Sequence, residues 1–413
     1  MSVLTFWFDL SCPYAYLAST QVERLAADAG ADLRVRPFLL GGVFRARGVA
    51  QNLAGTLHPD KAAHNLADMH RHAELFGVPL VMPPGHPLRT VQALRALLVV
   101  QRDAGDASGR CLLPLMHALY RAYWVDGVDV STEDGLAEVL RGQGLDAEAV
   151  LAATEEQEIK DRLRVLTDEA LELGVFGAPA LVVGEGDETT LFWGQDRLDH
   201  VLRALGTEPP PAPTATDGPP VEVWFDYSSP FAYLGVTRAR RFLGARVRWR
   251  PMLLGAVFKD LGGPIVPLQT FSDAKRAWVS ADLGRQAEEA GAELNWPSRF
   301  PLRTVLPLRM TLQALEQDVS KGEAFIHRAF RGCWVDDQDP QDPEVVARWA
   351  EEVGLDGEEL VRGAAEAPVK QALFAATQEA RSKGVFGAPT FVKEDGALFW
   401  GNDRLSLLAA LEG

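Results

Sequence analysis

Apolar positions change their period along this chain in a fixed order. Residues 3–8, Val-Leu-Thr-Phe-Trp-Phe, form an apolar strand run that breaks at Asp9. From Pro13 the period lengthens, and Leu17, Val22, Leu25 and Ala26 predict a helix. Proline suits its first turn because it lacks the N–H that a helix start leaves unpaired. Leu33-Arg-Val-Arg-Pro-Phe-Leu39 alternates and predicts a second strand. Residues 57–170 carry apolar positions three and four apart, as in Leu94, Leu97 and Leu98, then Leu112, Leu115, Met116 and Leu119. That stretch should be mostly helical. Ala180–Val183 and Thr190–Trp193 return to strand, and a closing helix is expected from Asp196.

The order then repeats. Phe6-Trp-Phe-Asp-Leu-Ser-Cys-Pro-Tyr-Ala-Tyr-Leu17 returns as Val223-Trp-Phe-Asp-Tyr-Ser-Ser-Pro-Phe-Ala-Tyr-Leu234. Gly174-Val-Phe-Gly-Ala-Pro179 returns as Gly384-Val-Phe-Gly-Ala-Pro389, and Leu191-Phe-Trp-Gly-Gln-Asp-Arg-Leu198 as Leu398-Phe-Trp-Gly-Asn-Asp-Arg-Leu405. Pro13 and Pro230 lie 217 positions apart and Arg197 and Arg404 lie 207 apart, so only small insertions separate the copies. A period of roughly two hundred residues means duplicated domains rather than a solenoid. The expected division is copy one over 1–207, a proline-rich linker over 208–219 and copy two over 220–413. The linker should be extended and semi-rigid. Its shortness predicts two copies packed side by side.

Composition narrows the partners. A formal charge of −16 argues against nucleic acid or an anionic membrane, since phosphate binding wants a basic surface. No apolar run approaches the ~20 residues of a membrane span. The sequence opens on a strand with no basic-then-apolar leader, so a cytoplasmic location is expected. The three cysteines, Cys12, Cys111 and Cys333, form no Cys-x-x-Cys and predict neither a disulfide framework nor a dithiol redox pair.

Three features carry candidate chemistry. The first is the residue before proline at the strand–helix turn, Cys12 in one copy and Ser229 in the other, with Ser11 beside Cys12. A helix N-terminus offers unpaired N–H groups and a positive dipole end, which favour a thiolate: the protein's own at Cys12, or a ligand's held by Ser229. A plain N-cap is the structural alternative. The second is Ala178-Pro179 and Ala388-Pro389, each between turn residues and a strand. This is either an ordinary strand-entry proline or a cis peptide whose preceding residue pairs with an extended ligand. Both features, in the same order in both copies, favour a site for a peptide thiol. The third is Asp196-Arg197 and Asp403-Arg404, either helix caps or a clamp for an amino-acid head group.

Together these motifs resemble a tandem of two 2-hydroxychromene-2-carboxylate isomerase domains, close to kappa-class glutathione transferases and the wider DsbA-like thioredoxin group. The Arg-Pro-Phe-Leu-Leu-Gly-Gly-Val-Phe run at 36–44 and its counterpart at 250–258 belong to the same pattern. The resemblance implies an α/β fold of two thioredoxin-like domains, each with an inserted all-helical domain. It implies glutathione as cofactor and cis–trans isomerisation of an aromatic-derived conjugated keto acid. The family serine that activates the glutathione sulfur maps onto Ser229. The backbone that holds the cysteinyl part maps onto Ala178 and Ala388, and the γ-glutamyl clamp onto Asp196-Arg197 and Asp403-Arg404. A family lysine maps onto Lys61 and Lys275. A family asparagine maps onto Asn52, with no counterpart in copy two. Copy one departs from the pattern by placing Cys12 where the family has serine. Family members pair as homodimers, so the duplication implies an intramolecular pseudo-dimer, with a further homodimer left open. A monothiol oxidoreductase through Cys12, a kappa-type transferase and a non-catalytic ligand-binding module are the alternative functions.

Lesser signals have plainer readings. His64, Asp68 and His72 share a helical face, which reads as a solvated or site-rim face before a metal site. Asp68 with Arg71, and Asp282 with Arg285, have the spacing of helix salt bridges. Trp124 and Trp334 suit either core packing or a pocket wall. Cys111 and Cys333 read as structural thiols.

Overall fold

The apolar run that opens each copy becomes the central strand of a sheet. In this computed structural model, which describes residues 2–52, 54–186 and 188–412, copy one begins with β1 (Val3–Phe8), α1 (Pro13–Asp28), β2 (Asp32–Pro37) and α2 (Leu40–Ala46). Its helical middle comprises α3 (Pro59–Phe76), α4 (Val91–Ala104), α5 (Leu113–Arg121), α6 (Glu133–Gly142), α7 (Ala147–Ala153) and α8 (Gln157–Glu172). It closes with β3 (Ala180–Glu185), β4 (Glu188–Trp193) and α9 (Leu198–Ala204). Copy two repeats the order: β5 (Val221–Phe225), α10 (Pro230–Leu243), β6 (Val247–Pro251), α11 (Leu254–Asp260), α12 (Asp273–Ala290), α13 (Val305–Gln317), α14 (Val319–Trp334), α15 (Pro343–Glu352), α16 (Gly357–Ala364), α17 (Ala367–Ser382), β7 (Thr390–Lys393), β8 (Leu398–Trp400) and α18 (Arg404–Ala410).

Each copy folds into a four-stranded sheet, ordered β2-β1-β3-β4 and β6-β5-β7-β8. The first two strands of a copy run parallel and the last two are antiparallel. The βαβ opening and the ββα ending thus interlock in one sheet, the arrangement of a thioredoxin-like core. Phe6, Phe8, Val223 and Phe225 are wholly buried, as a central strand covered on both faces requires.

Several boundaries differ from the sequence reading. The second strand stops at Pro37, because Phe38 donates its N–H back to Phe8 and Leu39 caps α2. The closing helix of copy one does not start at Asp196. Residues Gln195–Arg197 make a 3-10 turn, and α9 begins at Leu198.

The chain forms two compact units. Unit 1 contains Met1–Leu57, Met69–Pro211 and Ser272–Trp278. Unit 2 contains His58–Asp68, Ala212–Phe271 and Val279–Gly413. Each unit therefore includes a short helical segment from the other repeat: the start of α12 in unit 1 and the start of α3 in unit 2. The linker from Ala212 onward belongs to unit 2. Ala215 donates its N–H to Phe242 and is itself buried. The buried Arg246 guanidinium donates to Ala215 O at 2.8 Å and Pro219 O at 2.7 Å.

Candidate functional site

In both units a buried aspartate builds the turn that presents the site residue. Asp9 accepts hydrogen bonds from Ser11 N and Oγ, both at 2.9 Å, from Thr90 Oγ1 at 2.7 Å and from Leu40 N at 2.8 Å. Asp226 accepts from Ser228 N at 2.9 Å, Thr304 Oγ1 at 2.6 Å and Leu254 N at 2.8 Å. These bonds tie the end of the central strand to the following helix and to the helical insertion. Burial raises the Asp226 carboxyl above the usual carboxylate range, and its donors only partly offset that. Trp124 and Trp334, wholly buried, brace the same turns through their indole N–H groups on Leu10 O (3.0 Å) and Tyr227 O (2.8 Å).

The turn delivers Cys12 and Ser229 to the N-termini of α1 and α10, opposite the cis prolines. The Ala178–Pro179 and Ala388–Pro389 peptides are both cis. Cys12 Sγ donates to Ala178 O at 3.1 Å, and Ser229 Oγ donates to Ala388 O at 3.0 Å. Ser229 Oγ also accepts from Ala232 N at 3.1 Å, so it is the N-cap of α10. Cys12 makes no such cap. Burial opposes the Cys12 thiolate that the helix position alone suggests. Burial pushes the thiol up to about 12, outweighing the nearby backbone N–H groups of Ala15 and Tyr14.

The Phe-Trp-Gly motifs build an aromatic cluster in each unit. In unit 1 Phe176 packs on Trp193 with ring centroids 4.9 Å apart, and Trp278 closes on both. The Trp278 indole N–H donates to Leu191 O at 3.1 Å. Lys275 lies 5.5 Å from the Trp193 ring centroid, and the Arg197 guanidinium lies 5.8 Å from Trp278. Arg197 also pairs with Asp196 at 3.2 Å. In unit 2 Phe386 and Trp400 are 4.9 Å apart, with Lys61 5.0 Å from the Trp400 ring. Burial lowers the Lys61 pKa. His64 accepts the Trp400 backbone N–H on Nε2 at 3.1 Å. Arg404 grips Asp68 through Nε (2.8 Å) and Nη2 (3.1 Å) and meets Asp403 at 3.2 Å.

The structure thus gathers Ser229, Ala388, Pro389, Asp403, Arg404 and Lys61 in unit 2, and Cys12, Ser11, Ala178, Pro179, Asp196, Arg197 and Lys275 in unit 1. Asn52 is exposed in unit 1, and its side-chain oxygen accepts the Gly55 N–H at 3.1 Å. Asp282 and Arg285 pair at 3.3 Å as their spacing suggests. The partner of Asp68 that spacing does not reveal is Arg404. Sequence reasoning passed over Asp9 and Asp226 as structural anchors, although the recurrence of Phe-Asp before Ser marked them. Among the described residues no group of three or more His, Cys, Asp or Glu side chains can hold a metal ion, and no helix is long and apolar enough to cross a membrane.

The model of the DSBA-like thioredoxin domain matches this chain twice, over residues 3–206 and 220–411. The chain belongs to the DSBA-like thioredoxin family. Within that family it is similar to the 2-hydroxychromene-2-carboxylate isomerase of Sphingobium xenophagum, with 31% identity over 48% of this chain and 95% of the relative. The enzyme of the same name from Pseudomonas putida is 27% identical over 49% of this chain and 94% of its own length. Glutathione S-transferase kappa 2 of Caenorhabditis elegans is 27% identical over 49% of this chain and 91% of that protein. Each of these relatives matches about half of the chain, the length of one repeat.

Proposed function

We propose that this protein is a glutathione-dependent cis–trans isomerase acting on a conjugated keto acid of the 2-hydroxychromene-2-carboxylate type. The observation that carries the proposal is the Ser229 hydroxyl, which caps α10 and donates to the carbonyl before a cis proline. The Arg404–Asp68–Asp403 cluster and Lys61 belong to the same unit. The donor set fits a tripeptide with two carboxylates and one ammonium. Arg404 and Lys61 suit the carboxylates, Asp403 and Asp68 the ammonium, and the Ala388 backbone an extended peptide.

Glutathione held there would supply a nucleophilic thiolate for reversible addition to, and elimination from, a conjugated double bond of the substrate. Ser229 has one proton to donate, now given to Ala388 O. The Ala388 carbonyl and the Ser229 hydroxyl would be the groups that hold an extended peptide and its sulfur. The α10 N-terminus adds positive potential at the same point, which would favour a thiolate held there. Asp226 holds the turn so that the hydroxyl stays in place. In unit 1 the Cys12 thiol occupies the same slot as a neutral donor, so we read it as a weaker hydrogen-bond group rather than a redox nucleophile.

The test is a glutathione titration of wild type, Ser229→Ala and Cys12→Ala, read by ultraviolet thiolate absorbance at neutral pH. A parallel assay follows turnover of 2-hydroxychromene-2-carboxylate. The expected result is a thiolate signal and turnover that Ser229→Ala abolishes and Cys12→Ala largely spares. Absence of glutathione binding in every variant overturns the proposal. Binding without turnover points instead to a binding module or a transferase.

A further inference from the structure

The loops that flank the two site turns are pinned alike but walled differently. In unit 2 the loop after α12 starts where Tyr233 Oη donates to Glu293 O at 2.9 Å and ends where Thr304 bonds Asp226. In unit 1 Tyr16 Oη donates to Pro79 O at 2.8 Å and Thr90 bonds Asp9. Both anchors lie on the turn and first helix that carry Ser229 or Cys12. Each loop also contains a cis proline, after Phe300 in one and His86 in the other. Asn295 donates its N–H to Trp334 O as Val81 does to Trp124 O, which sets Trp296 opposite Met82 in the two repeats and Phe300 opposite His86.

What fills these positions differs in kind. In unit 2 Trp296 packs against Phe300 at 4.8 Å and Trp334 at 5.7 Å, yet leaves 51% of itself exposed. In unit 1 Met82 packs on the core, and His86 is engaged by Tyr123. The Tyr123 hydroxyl accepts Leu88 N–H at 2.9 Å and shares a hydrogen bond with His86 Nδ1 at 2.9 Å. Burial lowers the His86 pKa. Position 333, the counterpart of Tyr123, is a buried cysteine.

We propose that the two sites accept different second substrates: unit 2 holds a planar aromatic ring against Trp296 and Phe300 beside Ser229, whereas the polar His86–Tyr123 wall of unit 1 does not. An offset-stacked or edge-on ring gains from the Trp296 face beyond simple area burial. The proposal rests on Ser229 being the reacting end of its site, and it makes Trp296 and Phe300 specificity-determining residues.

The experiment is calorimetric titration of the full chain with coumarin-3-carboxylate, a planar bicyclic carboxylate with no bond to isomerise. Wild type is expected to bind one molecule per chain. Trp296→Ala should weaken that binding roughly tenfold. The double variant Met82→Trp/His86→Phe should acquire a second site and bind two. Two equivalent sites in wild type, no binding, or an unchanged Trp296→Ala affinity each overturns the proposal. The probe requires neither glutathione nor turnover. Failure of the catalytic reading would therefore leave this stoichiometry intact and show up separately in the glutathione titration.

Discussion

A hydroxyl and a thiol occupy one slot in the two repeats, and their neighbours decide what each can do. Ser229 gives its proton to Ala388 O and receives the Ala232 N–H, so Ser229→Ala removes a cap as well as a donor. It should cost about 1 kcal/mol of stability, measurable as a lowered denaturation midpoint. Cys12 bonds to Ala178 O and does not cap α1, and Cys12→Ser should keep the midpoint near wild type. The buried thiol titrates at about 12. Its alkylation by iodoacetamide should therefore be slow at pH 7 and keep rising through pH 10 without a plateau, as followed by intact-mass spectrometry. A plateau near neutral pH would mean a stabilised thiolate and revive the redox reading. Spacing could not settle whether Ser229 was a cap or a ligand-handling group. The structure shows why: one oxygen accepts from the helix while its proton points the other way.

Short elements fix the site through close approach. A Cβ at Gly177 would lie 2.6 Å from Trp193 Nε1, and one at Gly387 would run into Trp400 Nε1. Gly177→Ala and Gly387→Ala should therefore displace those indoles, with a cost of roughly 1–3 kcal/mol and a shifted tryptophan emission. Asp226 works at the same scale, joining β5, α11 and the start of α13. Its folded pKa is raised, so the stability it contributes is full below the ordinary carboxylate range and declines as pH rises through the folded value. Asp226→Asn removes that dependence. The destabilisation it causes should be largest near pH 4 and shrink toward pH 7, as measured by urea denaturation across pH. An unchanged difference across that range would show that Asp226 is not the titrating group. Strands and helices were legible in the sequence because their apolar periods are local. The turn geometry was not, since Thr90 and Thr304 reach Asp9 and Asp226 across 81 and 78 residues.

At the scale of the whole molecule each compact unit draws on both repeats. The repeat boundary was legible from the collinear motifs, but the composition of the units was not. Asp68 reads locally as a partner for Arg71, while in unit 2 it is held by Arg404, 336 residues away. Lys61, by sequence a residue of the first repeat, faces Trp400 of the second. Unit 1 likewise takes Ser272–Trp278, including Lys275 on Trp193. An isolated repeat over 220–413 loses residues 58–68 and with them Lys61 and the bidentate carboxylate on Arg404. It does retain the equivalent stretch that contains Lys275 and Asp282. A second copy of the same repeat could supply that stretch. The separated repeats are therefore expected to run as homodimers in size-exclusion chromatography with light scattering, and the intact chain as a monomer that already contains both complements. Monomeric repeats with the melting temperature of the full chain would refute this. They would show that Asp68 and Lys61 add nothing that each repeat cannot build alone.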